Sequence, residues 1–111
     1  MIRRLRVKLQ QSALDDLRKI AKYIAKASGS KKIARGFAKR IKDRCLRIGD
    51  APRAGRFRDD LIPGLRTVPF ERSAVICYLV EADGVFVSNI FYGGQDFEAI
   101  LRGERLEPEE D

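Results

Sequence analysis

The chain contains no histidine, and its two cysteines, Cys45 and Cys77, lie far apart with no Cys-x-x-Cys spacing. The commonest general base is therefore missing, and no zinc-ligand set of the usual kind can be assembled. Both cysteines sit inside apolar patterns and read as buried, reduced thiols rather than a disulfide. No window reaches the roughly 20 apolar residues of a membrane span. The basic start, Arg3, Arg4, Arg6 and Lys8, runs into Gln10 and Gln11 instead of an apolar signal core. A cytoplasmic protein with no membrane partner is expected. There is no repeat and no linker, and 111 residues with 44% apolar content suffice for one core.

What is abundant is positive charge. The net +7 conceals an asymmetry, because Glu104, Glu107, Glu109, Glu110 and Asp111 crowd the last eight residues with only Arg105 against them. Residues 1–103 hold 22 basic and 11 acidic groups, a net of +11. The expected division is thus a basic folded domain over 1–103 and an acidic, disordered tail over 104–111. A basic body attracts a polyanion, but charge alone allows nucleic acid and an acidic protein equally.

Residues 2–9 alternate, with Leu5, Val7 and Leu9 opposite Arg4, Arg6 and Lys8, the period of a half-buried strand. Ser12 is placed to cap a helix, with Asp15 three residues on and Asp16 beside it opposing the positive helix end. Leu14, Leu17, Ile20, Ala21 and Ile24 form its apolar stripe. Ser28-Gly29-Ser30 breaks the pattern. A second helix carries Ile33, Phe37, Ile41, Cys45 and Ile48 on one face, and Gly49 with Pro52 supplies the stop. Residues 12–48 hold 12 Lys or Arg against Asp15, Asp16 and Asp43, part of which is the ordinary charge of a solvated helix face.

Pro52, Gly55 and Pro63-Gly64 mark residues 50–64 as a long ordered loop, a kind of segment that often carries function. Strands follow over 65–70, 74–80 and 85–91, the last two joined across Asp83-Gly84. Pro69 cannot donate to a ladder, so the first of the three belongs at an edge or near a bulge. The later two are apolar on both faces, implying cover on both sides. Phe97 to Leu101 adds a short helix. The expected fold is α+β, in β-α-α-β-β-β order, with a twisted, mainly antiparallel sheet and a helical hairpin on one face.

Three blocks carry the functional signal: Arg58-Asp59-Asp60-Leu61-Ile62-Pro63-Gly64-Leu65-Arg66, then Pro69-Phe70-Glu71-Arg72, then Ile90-Phe91-Tyr92-Gly93-Gly94-Gln95-Asp96-Phe97-Glu98. In this order and spacing they resemble the ParE branch of the RelE/ParE toxins, the toxin halves of bacterial type II toxin-antitoxin pairs. The resemblance spans nearly the whole chain and implies the same β-α-α-β-β-β fold. RelE-like members cut ribosome-bound messenger RNA, whereas ParE-like members act on DNA gyrase without a known catalytic centre.

Cleaving a phosphodiester through a 2′-hydroxyl needs a proton acceptor, a proton donor and fixed positive charge. Phe97 stands where RelE-like enzymes carry a tyrosine, and Gly93-Gly94 where they carry a catalytic arginine. Neither replacement can do the chemistry, so no catalytic residue, metal or cofactor is assigned. Gly93-Gly94 reads as a strand-to-helix turn needing positive φ, capped by Gln95 or Asp96, rather than a phosphate loop. Asp59 and Asp60 read as loop hydrogen bonds or partners of Arg56, Arg58 or Arg66. The resemblance implies gyrase inhibition by surface contact, with Arg58, Arg66, Arg72, Tyr92 and Gln95 as target-binding candidates. It also implies a cognate ParD-like antitoxin, acidic and partly disordered, that folds onto the toxin, with Leu17, Tyr23 and Phe37 as its contacts. Direct nucleic-acid binding is the less favoured partner. The alternatives are a RelE-like messenger endoribonuclease and an inactive relic that still binds antitoxin.

Overall fold

The structure, a computed structural model, describes residues 4–103. The acidic tail expected over 104–111 lies outside the described residues. In chain order the elements are β1 (Arg6–Leu9), α1 (Gln11–Ser28), α2 (Lys31–Arg47), a 3-10 turn (Ile48–Asp50), β2 (Arg56–Phe57), β3 (Leu65–Phe70), β4 (Ala74–Glu81), β5 (Gly84–Tyr92) and α3 (Phe97–Leu101). The strands form one mixed sheet in the order β1-β5-β4-β3-β2. β1 runs parallel to β5, and every other pair is antiparallel. The expected α+β arrangement is present, enlarged by β2 inside what the sequence presents as loop.

The helical hairpin packs on one face of the sheet, around Ala13, Ile20, Ile24, Ala34, Phe37, Ile41, Cys45, Ile76, Tyr78, Val85 and Val87. A second, smaller core covers the other face, where Leu61, Ile62, Phe97, Ile100 and Leu101 pack over Leu65, Cys77 and Phe91. This explains why β4 and β5 are apolar on both sides. Among the described residues no helix is long and apolar enough to cross a membrane.

Several local expectations change. Ser12 does not cap α1: its hydroxyl donates to Ser88 O at 2.5 Å, and Gln10 holds the cap position without a side-chain bond. Asp16 likewise leaves the helix end, accepting from Ile90 N at 2.9 Å and Asn89 Nδ2 at 3.2 Å. The cause is a bulge in β5 at Ser88, since Cys77 pairs with Asn89 but Tyr78 with Val87. A bulge leaves ladder groups unpaired, and the start of α1 supplies their partners. The stripes also turn by one position: Ala13 and Ala34 are buried, while Leu14 is 37% and Ile33 56% exposed. Ser28-Gly29-Ser30 breaks the helices as expected, with Gly29 left-handed and Ser30 Oγ accepting from Ile33 N.

Gly49 does not end α2 by a left-handed turn. It lets the backbone of Leu5 approach, with Leu5 N donating to Gly49 O at 3.0 Å, and any Cβ at position 49 would collide with the Leu5 carbonyl oxygen. The β4–β5 turn consists of Ala82 and Asp83, because Gly84 already pairs with Glu81. Pro69 occupies an open edge, since β2 pairs only with Arg66 and Thr67 of β3.

Candidate functional site

The end of β5 is built by a chain reversal. Gly93 and Gly94 take φ of +70° and +80°, conformations that cost glycine little. Gly93 N donates to Ser73 O at 2.9 Å, tying the reversal to the β3–β4 hairpin. Of the two expected caps, Asp96 serves α3, accepting from Ala99 N at 3.1 Å. Gln95 turns back instead, its Oε1 accepting from Tyr92 N at 3.0 Å.

Tyr92 sits in a row of edge-to-face rings across the helix side of the sheet. Its centroid lies 5.9 Å from Tyr23 and 5.4 Å from Phe37, which in turn lies 5.7 Å from Phe70. Such pairs are worth ~0.5–1.5 kcal/mol each beyond their burial, so the row fixes the Tyr92 ring against both helices. Arg40 extends the row, its guanidinium 5.5 Å from the Phe37 centroid.

Beside this row, the β3–β4 hairpin tip places Glu71 and Arg72 at φ of +46° and +57°, the left-handed region that non-glycine residues rarely occupy. Ser73 N closes the turn on Phe70 O at 3.0 Å. Glu71 is gripped by Arg40 through two bonds of 2.9 and 3.0 Å. That grip holds the Glu71 carboxyl below its ordinary range, chiefly through the hydrogen bonds from Arg40.

Three of the five target-binding candidates come together here. Arg72, Tyr92 and Gln95 line one cleft of about 230 Å³, floored by Pro69, Phe91 and Phe97. On the other side of Tyr92 and Gln95 lies a second concavity, lined by Lys19, Ile20 and Tyr23 with Gly93. Tyr92 and Gln95 are therefore a wall common to two neighbouring hollows.

The other two candidates lie elsewhere. Arg58 is turned inward, its side chain only 12% exposed, bonded to both oxygens of Asp60 at 2.9 Å and to Glu98 at 2.5 Å. The guanidinium thereby clamps the 58–65 loop to α3, and it holds Asp60 down at about 2. Asp59 accepts from Gly64 N at 2.9 Å, so both aspartates serve the loop, as their adjacency implies. Arg66 stacks on Phe57 at 5.0 Å and donates to Arg53 O and Gly55 O. Of the antitoxin-binding candidates, Leu17 is half-buried against the main core, Tyr23 is 62% exposed, and Phe37 is only 6% exposed. Phe37 is thus a core ring, packed edge to face against Tyr92 and Phe70.

Chemically, the end of β5 offers little. Phe97 packs on Phe91 with centroids 6.0 Å apart and supplies no ionisable group. The thiols of Cys45 and Cys77 are pushed up to about 12 by burial, the wrong direction for a nucleophile. The two hollows present the Arg72 guanidinium, the Lys19 ammonium, the phenols of Tyr23 and Tyr92 and the Gln95 amide, groups suited to binding.

The family described as "ParE toxin of type II toxin-antitoxin system, parDE" matches this chain over residues 7–97. The chain belongs to the ParE toxin family. A comparison with curated proteins found no match. Among solved structures, "Chromosomal ParDE TA system from P. aeruginosa" is similar at a TM-score of 0.70 and 20% identity, covering 79% of this chain and 95% of that one. At that identity the likeness bears on the fold alone. Within this ParE family member, the matched residues run from β1 to the first residue of α3, so both hollows fall inside them.

What the sequence did not reveal is how the candidates are grouped. Aromatic residues at 23, 37, 70 and 92 have no shared period, and only the packed hairpin aligns them. Glu71-Arg72 lacks the Asn-Gly or Asp-Gly chemistry that marks a left-handed turn.

Proposed function

We propose that this ParE family chain is a cytoplasmic growth-arrest toxin that inhibits DNA gyrase by surface binding and is neutralised by a cognate ParD-like antitoxin. The observation that supports this reading best is the shared wall. Arg72 with one side of Tyr92 and Gln95 serves as the target contact, while Tyr23 with the other side receives the antitoxin. An antitoxin seated on Tyr23 would then mask the same wall from the target. Masking needs no distant conformational change, because both hollows use the same two side chains. The excess of cations on α1 and α2 suits an acidic partner, with Leu14 and Ile33 exposed for its apolar residues.

The reading is tested by inducing the chain in bacteria while following DNA synthesis, protein synthesis and the DNA-damage response, then measuring supercoiling by gyrase with purified protein. Early loss of DNA synthesis and inhibited supercoiling, relieved by the antitoxin, is the expected result. Prompt translation arrest with cut messenger would replace it with the endoribonuclease reading, and normal growth with the relic.

A further inference from the structure

A third hollow lies at the opposite end of β4 from the shared wall. Leu5, Pro52, Arg53, Phe57, Arg66 and Glu81 line this groove, which has a volume of about 490 Å³. Its organising feature is an aromatic ring left in the open. Phe57 is 54% exposed on the two-residue strand β2, directly paired with Arg66 of β3. Residues opposed across an antiparallel pair share a face, and the Arg66 guanidinium packs on one side of the ring at 5.0 Å. One Arg66 nitrogen is fixed by Arg53 O and Gly55 O at 3.0 and 3.1 Å. Its other N–H groups have no hydrogen-bond partner among the described residues, and neither Arg53 nor Glu81 has an ion-pair partner there.

The groove therefore presents three unmet groups: the face of an aromatic ring, unneutralised guanidinium charge and a carboxylate. We propose that it binds single-stranded nucleic acid, with one base stacked on Phe57, the adjoining phosphate on Arg53 and Arg66, and Glu81 accepting from an exocyclic amino group of the base. Each part of a nucleotide meets one of the three. Unpaired bases stack on aromatic side chains whatever their identity. Arginine suits phosphate, and a carboxylate accepts from an amino group such as cytosine N4. An acidic peptide fits less well, since it would leave the ring uncovered and meet repulsion from Glu81. A duplex fits less well again, because its bases are already stacked and paired. The proposal is independent of gyrase and antitoxin binding, which use the other end of β4.

The test is fluorescence anisotropy of the full chain with a fluorescein-labelled 12-nucleotide oligo(dC) at low salt. Expected are saturable binding, at least fivefold weaker binding by F57A, near-normal binding by F57W, and weaker binding of oligo(dT), which lacks the amino group. A K42E/R47E variant on α2 should stay within threefold of the unchanged chain. No binding would overturn the proposal. So would F57A within twofold, a loss in K42E/R47E equal to that in F57A, or displacement of the probe by polyglutamate or duplex DNA as readily as by unlabelled oligo(dC). Equal binding of oligo(dT) would overturn the role of Glu81.

Discussion

Arg40 on α2 grips Glu71 at the β3–β4 tip with two parallel bonds, Nε to Oε2 at 2.9 Å and Nη2 to Oε1 at 3.0 Å. The helix thereby steadies a turn residue held at φ +46°. Because the pair is exposed, its loss should leave global stability nearly unchanged and instead loosen the tip. For Glu71→Gln the expected outcome is a melting temperature close to that of the unchanged protein, with faster hydrogen exchange at Ser73 N and Gly93 N. Unaltered exchange at those amides would show that the turn holds without its tether.

Arg72, the neighbouring residue, separates folding from function. A left-handed conformation costs an L-residue ~1–2 kcal/mol, while glycine adds ~0.5–1 kcal/mol of backbone entropy to be lost on folding. Arg72→Gly at φ +57° should therefore be neutral to slightly stabilising, with a melting temperature unchanged or a few degrees higher. Growth arrest should fall sharply, because the guanidinium leaves the cleft. Full toxicity from a well-folded Arg72→Gly protein would remove this residue from the target contact.

Much of the architecture was legible in the residues, because it follows from local period. The alternation at Leu5, Val7 and Leu9, the break at Ser28-Gly29-Ser30 and the doubly apolar strands are all of this kind. Ala13 and Ala34 were not legible, because stripes are recognised by large apolar side chains while the positions nearest the sheet favour small ones. The parallel pairing of β1 with β5 depends on a contact between residues 6–9 and 84–87, which no local window contains. The site divides in the same way. Gly93-Gly94 announced its own turn, whereas the inward rotation of Arg58 requires Asp60 and Glu98 to be in place, and Glu98 lies forty residues away.

The Arg58–Asp60 bond gives a pH dependence with a definite sign. Asp60 is held at about 2, below the ordinary aspartate value of about 3.9. A carboxylate whose pKa is lower when folded contributes stability above its unfolded value and loses it as pH falls through the folded one. The melting-temperature difference between the unchanged protein and Asp60→Asn should be full near neutrality, shrink as pH falls from about 4 to about 2, and vanish below that. A difference that stays constant across this window would mean that the ion pair does not stabilise the fold.

Tyr78 is buried completely, and its hydroxyl donates to Pro52 O at 2.8 Å while accepting from Gly55 N at 3.0 Å. It thus anchors the 50–57 segment that carries Phe57. Tyr78→Phe keeps the ring and leaves those two backbone groups without their partner, a loss of about 1–3 kcal/mol. Chemical denaturation should show that decrease in stability. A change below about 0.5 kcal/mol would mean that water replaces the hydroxyl without cost.

Tyr23 tests the shared wall from the side proposed to receive the antitoxin. It is 62% exposed, and its ring meets Tyr92 edge to face at 5.9 Å. Removing so exposed a ring should alter stability by less than about 1 kcal/mol. At an interface, however, a tyrosine anchor commonly contributes about 2 kcal/mol or more. Tyr23→Ala should therefore weaken antitoxin binding at least tenfold in a titration while leaving growth arrest intact, so that a co-expressed antitoxin no longer rescues growth. The converse change, Gln95→Ala, strikes the wall itself and should weaken both activities together. If Tyr23→Ala lowers toxicity as much as antitoxin affinity, the two hollows form one contact surface, and masking of a shared wall is the wrong account of neutralisation.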